Sequence, residues 1–247
     1  MPTQKLDILV CRPQQKGKKL TQMLISEGFK AAHLETFTIR PIHFTLPDNN
    51  SVTDIIFTST YAVEYFFKHG HLDYFKPNQF RVWSIGSATQ AALAKLNISA
   101  QSPEAYNSEG LLALLKHQDL HARQFIIIKG QGGRELLQKT LSQCTKVTVL
   151  ECYQRVAVTA NILLENLAKL KLAISPKLII FTNFDGLIAA MPIFEKYRHW
   201  RQHAYITVTS QRMLKWAQFR EFTKVHLLTM LTDAALCALS HQLIDKD

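Results

Sequence analysis

Short apolar runs that end in small polar residues and lead into a helix-like stretch recur along this chain, and two of them recur at one spacing. Asp54-Ile55-Ile56-Phe57-Thr58 returns 124 residues later as Leu178-Ile179-Ile180-Phe181-Thr182. The same offset carries Arg81-Val82-Trp83-Ser84 onto Tyr205-Ile206-Thr207-Val208, with helix-like stretches following at 88–96 and 212–219. A second echo links Ile8-Leu9-Val10-Cys11-Arg12 to Ile126-Ile127-Ile128-Lys129, each followed by an amphipathic segment bearing Leu20 and Leu24 or Leu137 and Leu141. A third sets Leu34-Glu35-Thr36-Phe37 against Leu150-Glu151-Cys152-Tyr153. Short buried strands alternating with helices imply parallel sheets covered on both faces, the α/β class. The order is A–link–B–A′–link′–B′, two similar α/β lobes, and repetition alone leaves open whether A folds with B or with B′. The links, 36–42 and 150–156, can pair as a ribbon between lobes. Chance likeness among α/β units is the competing account.

Composition narrows the class further. The 247 residues are 47% hydrophobic and only 19% charged, enough apolar material for real cores and too little charge for extensive disorder. No apolar run approaches the ~18 residues of a membrane span. The opening MPTQKLDILV has no basic-then-apolar signal architecture, so a cytoplasmic protein is expected. Cys11, Cys144, Cys152 and Cys237 are scattered, without a CxxC, which predicts free thiols. Twenty-nine Lys and Arg against 19 Asp and Glu leave a net charge of +10, which needs a partner. Nucleic acid would want a recognition signature and a membrane surface a basic amphipathic helix. Neither stands out, and a polyanionic small molecule remains open.

In open parallel sheets ligands bind beyond the carboxyl ends of the strands. That rule selects Arg12-Pro13, Thr58-Ser59-Thr60, the loop from Ser84 through Ser87 to Thr89, Lys129 to Arg134, Thr182-Asn183 and Thr209-Ser210-Gln211. Hydroxyls, amides and glycine at helix starts suit anion recognition by free backbone N–H groups; equally, such residues are ordinary helix caps. Lys129-Gly130-Gln131-Gly132-Gly133-Arg134 gathers three of the chain's nine glycines. Glycine permits the positive φ and close approach of an anion-cradling nest, although a plain tight turn has the same composition. It is neither a Walker loop nor a GxGxxG fingerprint. Tyr153, beside Arg155, offers a phenol that could donate a proton to a leaving group or bind a carboxylate. The pairs His117/His121 and His199/His203 have i,i+4 spacing, but no third ligand accompanies them, and solvated helix faces explain them. No paired carboxylates and no Ser-His-Asp order stand out.

Taken together, ILVCRP, DIIFTSTYAV, SIGSATQAAL, KGQGGRELL, LECYQR and ITVTSQRMLKWA resemble the uroporphyrinogen-III synthase family, in order and over nearly the whole chain. The resemblance implies two flavodoxin-like lobes with parallel sheets joined by a two-stranded linker ribbon. Residues 1–36 and 157–247 would form one lobe and 42–150 the other, with 37–41 and 151–156 as linker. It implies cyclisation of hydroxymethylbilane to uroporphyrinogen III with inversion of ring D and loss of water, by way of a spiro intermediate. No cofactor and no metal are implied, and the substrate's eight carboxylates give the basic balance its partner. Tyr153 matches the family's interlobe tyrosine, the candidate for assisting hydroxyl departure. Thr89 matches the threonine of IGxxT, and Ser59 and Asn183 the serines of two turns. Ser87 falls in the first of these loops, while Arg12, Lys129, Gly132, Gly133 and Ser210 occupy others facing the cleft. Two departures stand out: Thr182-Asn183-Phe184-Asp185 replaces a Ser-Pro-Ser and brings in an acid, and Thr209-Ser210-Gln211 replaces a glycine-containing loop.

The resemblance further implies a monomer, with transient contact to the upstream hydroxymethylbilane synthase. A two-lobed binding protein that closes on an anionic metabolite without catalysis is the alternative. A two-lobed glycosyltransferase or a nucleic-acid binder would instead respond to sugar nucleotides or show steeply salt-dependent binding.

Overall fold

A computed structural model of the chain describes residues 5–48, 50–68, 71–75, 79–172 and 175–244. The chain divides into two compact units, Met1–Thr38 with Val156–Asp247, and Ile39–Arg155. Elements are numbered in chain order.

The first unit holds β1 (Ile8–Cys11), β2 (Ala31–His33), β8 (Leu178–Phe181), β9 (Tyr205–Val208) and β10 (Val225–Leu227) in the order β10-β9-β8-β1-β2, paired in parallel. All four side chains of both β1 and β8 are buried, because the sheet is covered on each face. Leu9, Cys11, Ile179 and Phe181 join one core, whereas Ile8, Val10, Leu178 and Ile180 join the other, the alternation that a two-residue period demands. Against the first core pack α6 (Ala160–Lys169), α7 (Phe184–Ala189), α8 (Met191–Lys196), α9 (Trp200–His203) and α10 (Gln211–Phe219). Against the second pack α1 (Gln14–Ser26), through Leu20 and Leu24, and α11 (Asp233–Ile244), through Leu236 and Ile244. Each such leucine or isoleucine contributes about 1.5–3 kcal/mol by leaving water.

The second unit holds β3 (Phe37–Pro41), β4 (Asp54–Phe57), β5 (Arg81–Ser84), β6 (Gln124–Gly130) and β7 (Lys146–Ala157) in the order β3-β7-β6-β4-β5. Helices α2 (Thr60–Lys68), α3 (Ser87–Ala94), α4 (Ser108–Lys116) and α5 (Leu136–Leu141), with a 3-10 turn at His71–Tyr74, complete it. The pairs β4–β5, β4–β6 and β6–β7 are parallel. The links at 36–42 and 150–156 do not stand apart from the sheet. Residues 146–157 form one continuous strand, and β3 lies antiparallel to its later half, with Ile42 N–H donating to Cys152 O at 3.1 Å and Val158 N–H to Thr36 O at 2.9 Å. Both unit boundaries therefore fall within β3 and at the end of β7.

At the foot of the second sheet Asp54 is fully buried and saturated. It accepts from Trp83 Nε1 at 2.7 Å, Thr53 Oγ1 at 2.7 Å and Arg123 Nε at 2.8 Å, and pairs with Arg123 Nη2 as well. Its buried oxygens therefore have the donors that burial of such a polar group requires.

The first sheet, counted in chain order within its unit, has the 2-1-3-4-5 order of flavodoxin-like folds, whose ligand crevice lies where the order reverses; the second keeps the 2-1-3-4 part of it through β5-β4-β6-β7, with β3 added at the edge beside β7. In the first unit that point lies between β1 and β8, and in the second between β4 and β6. The 124-residue repeat is matched to the residue, β4 by β8 and β5 by β9. The matched strands nevertheless hold different stations: β8 is central in its sheet, whereas β4 stands next to the edge. The repetition thus reflects the shared demands of a buried parallel strand feeding a helix, not equivalent positions in two sheets.

Candidate functional site

In the second unit the loops after β4 and β6 flank the reversal point and bound a cleft of about 170 Å³. Ser59, Lys129, Gly132, Gly133 and Tyr153 line it together, joined by Thr58, Ser108, Arg134 and Arg155. Three cations around so small a space, Lys129, Arg134 and Arg155, with hydroxyls between them, suit a negatively charged group.

Tyr153 forms its floor. The residue is only 1% exposed, and its ring packs beside Tyr61 and Tyr65 at centroid distances of 5.8 and 5.9 Å. Its hydroxyl lies 2.9 Å from Ser59 Oγ and receives Arg155 Nη2 at 3.1 Å. Gly130 is the partner of Tyr153 in the β6–β7 register, at an irregularity between Lys129 and Gly130. A Cβ on Gly130 would stand 2.5 Å from Tyr153 Cζ, so glycine is what lets the phenol lie against the backbone of β6. Gln131 N–H donates to Tyr153 O at 2.7 Å and holds the strand there. Burial raises the Tyr65 hydroxyl above the ordinary phenol range, with the charge of Glu64 adding to the effect. Cys152, next to Tyr153 and in the same core, has its thiol pushed up to about 12 by burial.

The glycine loop adopts the positive φ that a nest draws on, +70° at Gly132 and +78° at Gly133, and both glycines are exposed. Gly132 N–H already donates to Glu151 Oε1 at 3.2 Å, so the chain's own carboxylate takes one of the loop's donors. Arg134 pairs with Glu109, both half-exposed, and Lys139 with Glu135. Exposed pairs of this kind contribute little to stability, and they leave Arg134 able to exchange partners. Lys139 also holds the Glu135 carboxyl below its usual range, first by hydrogen bonding and then by charge.

Ser87 and Thr89 do not line this cleft. Ser87 begins α3 and is exposed, whereas Thr89 is 5% exposed within the helix. Ser59 serves a second purpose, since its Oγ accepts Ala62 N–H at 3.1 Å at the start of α2.

In the first unit, Arg12, Asn183 and Ser210 sit beyond β1, β8 and β9, and each is engaged within the chain. Arg12 is 9% exposed and its Nη1 donates to Asp233 Oδ1 at 2.7 Å, so a cation expected to face a cleft is largely neutralised. His33 Nε2 meets Arg12 O at 2.7 Å and fixes the turn, while Gly17 packs so tightly on His33 that a Cβ there would stand 2.2 Å from the ring. Asn183 Oδ1 accepts Gly186 N–H at 2.7 Å and Ser210 Oγ accepts Met213 N–H at 3.3 Å, both as helix caps. Asp185 lies exposed in the first turn of α7, where a carboxylate suits the positive end of the helix.

Of the two histidine pairs, only His199/His203 keeps the adjacency its spacing suggested, with ring centroids 6.2 Å apart at α9. His117 caps the end of α4, leaving His121 in the turn beyond, and His203 Nδ1 meets His199 O at 2.8 Å. No cluster of three His, Cys, Asp or Glu fit for a metal occurs among the described residues. Nor is any described helix long and apolar enough to cross a membrane. Cys11, Cys152 and Cys237 are buried free thiols, and Cys144 is exposed. Two features of the cleft escaped the sequence reading, the seat provided by Gly130 and the bond from Arg155. The i,i+2 spacing of Tyr153 and Arg155 on one strand face was the available signal for the second.

The chain matches the family model of uroporphyrinogen-III synthase HemD over residues 18–227. It is 32% identical to the uroporphyrinogen-III synthase of Proteus mirabilis over 163 residues, 62% of this chain and 82% of that protein. It is 29% identical to that of Escherichia coli K12 over 227 residues, 86% of this chain and 91% of the relative. Among solved structures, a mutant uroporphyrinogen III synthase from Thermus thermophilus superposes with a TM-score of 0.63 at 13% identity, covering 98% of this chain and all of that one.

Proposed function

The chain belongs to the uroporphyrinogen-III synthase family, cyclising lyases of tetrapyrrole biosynthesis, and from that membership we propose that it turns hydroxymethylbilane into uroporphyrinogen III with Tyr153 as general acid. The observation that carries the role of Tyr153 is the phenol held between Ser59 and Arg155 at the floor of a cationic cleft. The pyrrole nitrogen's electrons expel the terminal hydroxyl, which takes the phenolic proton and leaves as water. The azafulvene so formed is attacked by the substituted α-carbon of ring D, giving a spiro intermediate. That intermediate fragments and recloses with ring D turned, and loss of a proton from the ring carbon restores the pyrrole and can return the proton to the phenolate.

The substrate's own π-system drives these steps, so the protein's main task is orientation. Lys129 and the Gly132-Gly133 backbone are placed to hold substrate carboxylates, with Ser59 close to the leaving hydroxyl. On the first unit Asn183 and Ser210 offer hydroxyl and amide contacts, and Arg12 acts chiefly by fixing its loop through Asp233. Ser87 presents an exposed hydroxyl at the start of α3, and Thr89 supports that turn from within. The same reading carries a cytoplasmic monomer that needs no cofactor and takes its substrate in transient contact with the upstream hydroxymethylbilane synthase. Tyr153→Phe tests the chemical role: turnover should fall by about 10²–10⁴, the usual contribution of a positioned acid. Unchanged turnover in a folded variant would remove Tyr153 from the mechanism.

A further inference from the structure

Arg155 lies two residues after Tyr153 on β7, so the two side chains share one face of the strand. Its guanidinium stands 5.4 Å above the Tyr153 ring, and Nη2 reaches the phenolic oxygen at 3.1 Å. Guanidinium has donors only, so the phenol must be the acceptor in this bond whatever else it does. The phenolic proton is therefore turned away from Arg155, towards Ser59 or the cleft. Ser59 Oγ is itself fixed by accepting Ala62 N–H. A cation at this distance also favours the phenolate that remains once a proton has been given up.

We infer that Arg155 is a positioning residue for the reaction, setting the direction of the Tyr153 proton and supporting the charge left behind. This rests on the assignment of Tyr153 as the acid. The rival role for an arginine in such a cleft is a direct anchor for a substrate carboxylate, and the two differ in what they do to binding and turnover.

The test is a double-mutant cycle on the full chain, measuring kcat and KM for uroporphyrinogen III formation with Arg155→Met, Tyr153→Phe and the pair together. Arg155→Met alone should lower kcat roughly 10- to 100-fold, part of the acid's whole contribution, with KM within about twofold of wild type; a larger KM change would already point to the anchor role. In the Tyr153→Phe background the same substitution should change kcat little, because an effect exerted through the phenol has nothing left to act on. Arg155→Lys, which keeps charge and donor, should recover part of the loss and guards against a Met variant that folds poorly. A KM increase of similar size in both backgrounds with kcat intact would make Arg155 a carboxylate anchor and overturn the inference. Additive losses in kcat would overturn it as well. If Tyr153→Phe alone leaves kcat unchanged, the acid assignment fails first, which the single variant reveals before the pair is read.

Discussion

Gly130→Ala is the substitution that most sharply probes how the phenol is held. The added Cβ would lie 2.5 Å from Tyr153 Cζ, 2.6 Å from Cε2 and 2.9 Å from the hydroxyl oxygen. Non-bonded carbons rest about 3.5–4.0 Å apart, so the ring or β6 must retreat by about 1 Å. The hydrogen bonds to Ser59 and Arg155, now 2.9 and 3.1 Å, would then stretch past the roughly 3.2 Å at which such bonds weaken. Overpacking of this kind costs about 1–3 kcal/mol in stability, or about 2–4 °C of Tm per kcal/mol in a protein of this size. Displacing a reacting group by about 1 Å costs on the order of 10²-fold in rate. Turnover measured with freshly generated hydroxymethylbilane, beside a thermal unfolding curve, separates the two effects. The expected outcome is a folded protein, a few degrees less stable, whose kcat has dropped towards that of Tyr153→Phe. Wild-type turnover in Gly130→Ala would refute the argument that the phenol's exact seat matters.

Asp54→Ala should cost about 3–5 kcal/mol in denaturant unfolding, since it strands the buried Arg123 without its carboxylate; a loss below about 1 kcal/mol would show that water compensates. KM should rise with ionic strength, because the screening length falls from about 10 Å at 0.1 M to about 3 Å at 1 M, and a salt-independent KM would assign recognition to backbone amides. Alkylation of the native protein near pH 8 should label Cys144 alone: burial pushes the Cys152 thiol up to about 12 and raises those of Cys11 and Cys237, so all three stay protonated. Prompt labelling of a second cysteine would contradict the packing.

Strands were the most legible part of the sequence, because runs such as ILVC and LIIF are apolar at every position only when both faces are covered. Helix starts were legible for a similar reason: Ser59, Asn183 and Ser210 cap their helices, as residues of these types do. That same capping hides function, since a hydroxyl that closes a helix and one that meets a substrate look alike in sequence. The neutralisation of Arg12 by Asp233 joins residues 221 apart, and no local pattern signals it. The continuous strand through 146–157 was obscured because its buried and half-buried positions follow two different neighbours, β6 early and β3 late. Gly130 looked like part of an anion-cradling glycine loop, yet its reason is the ring opposite, a contact set by strand register alone.

The central claim is that this protein directs ring closure with inversion, and the isomer ratio tests it directly. Hydroxymethylbilane, freshly generated, closes on its own to uroporphyrinogen I. With the protein present, the account predicts predominantly isomer III. Isomer I alone, formed at the spontaneous rate in the presence of folded protein, would contradict it and leave a two-lobed anion binder as the better description.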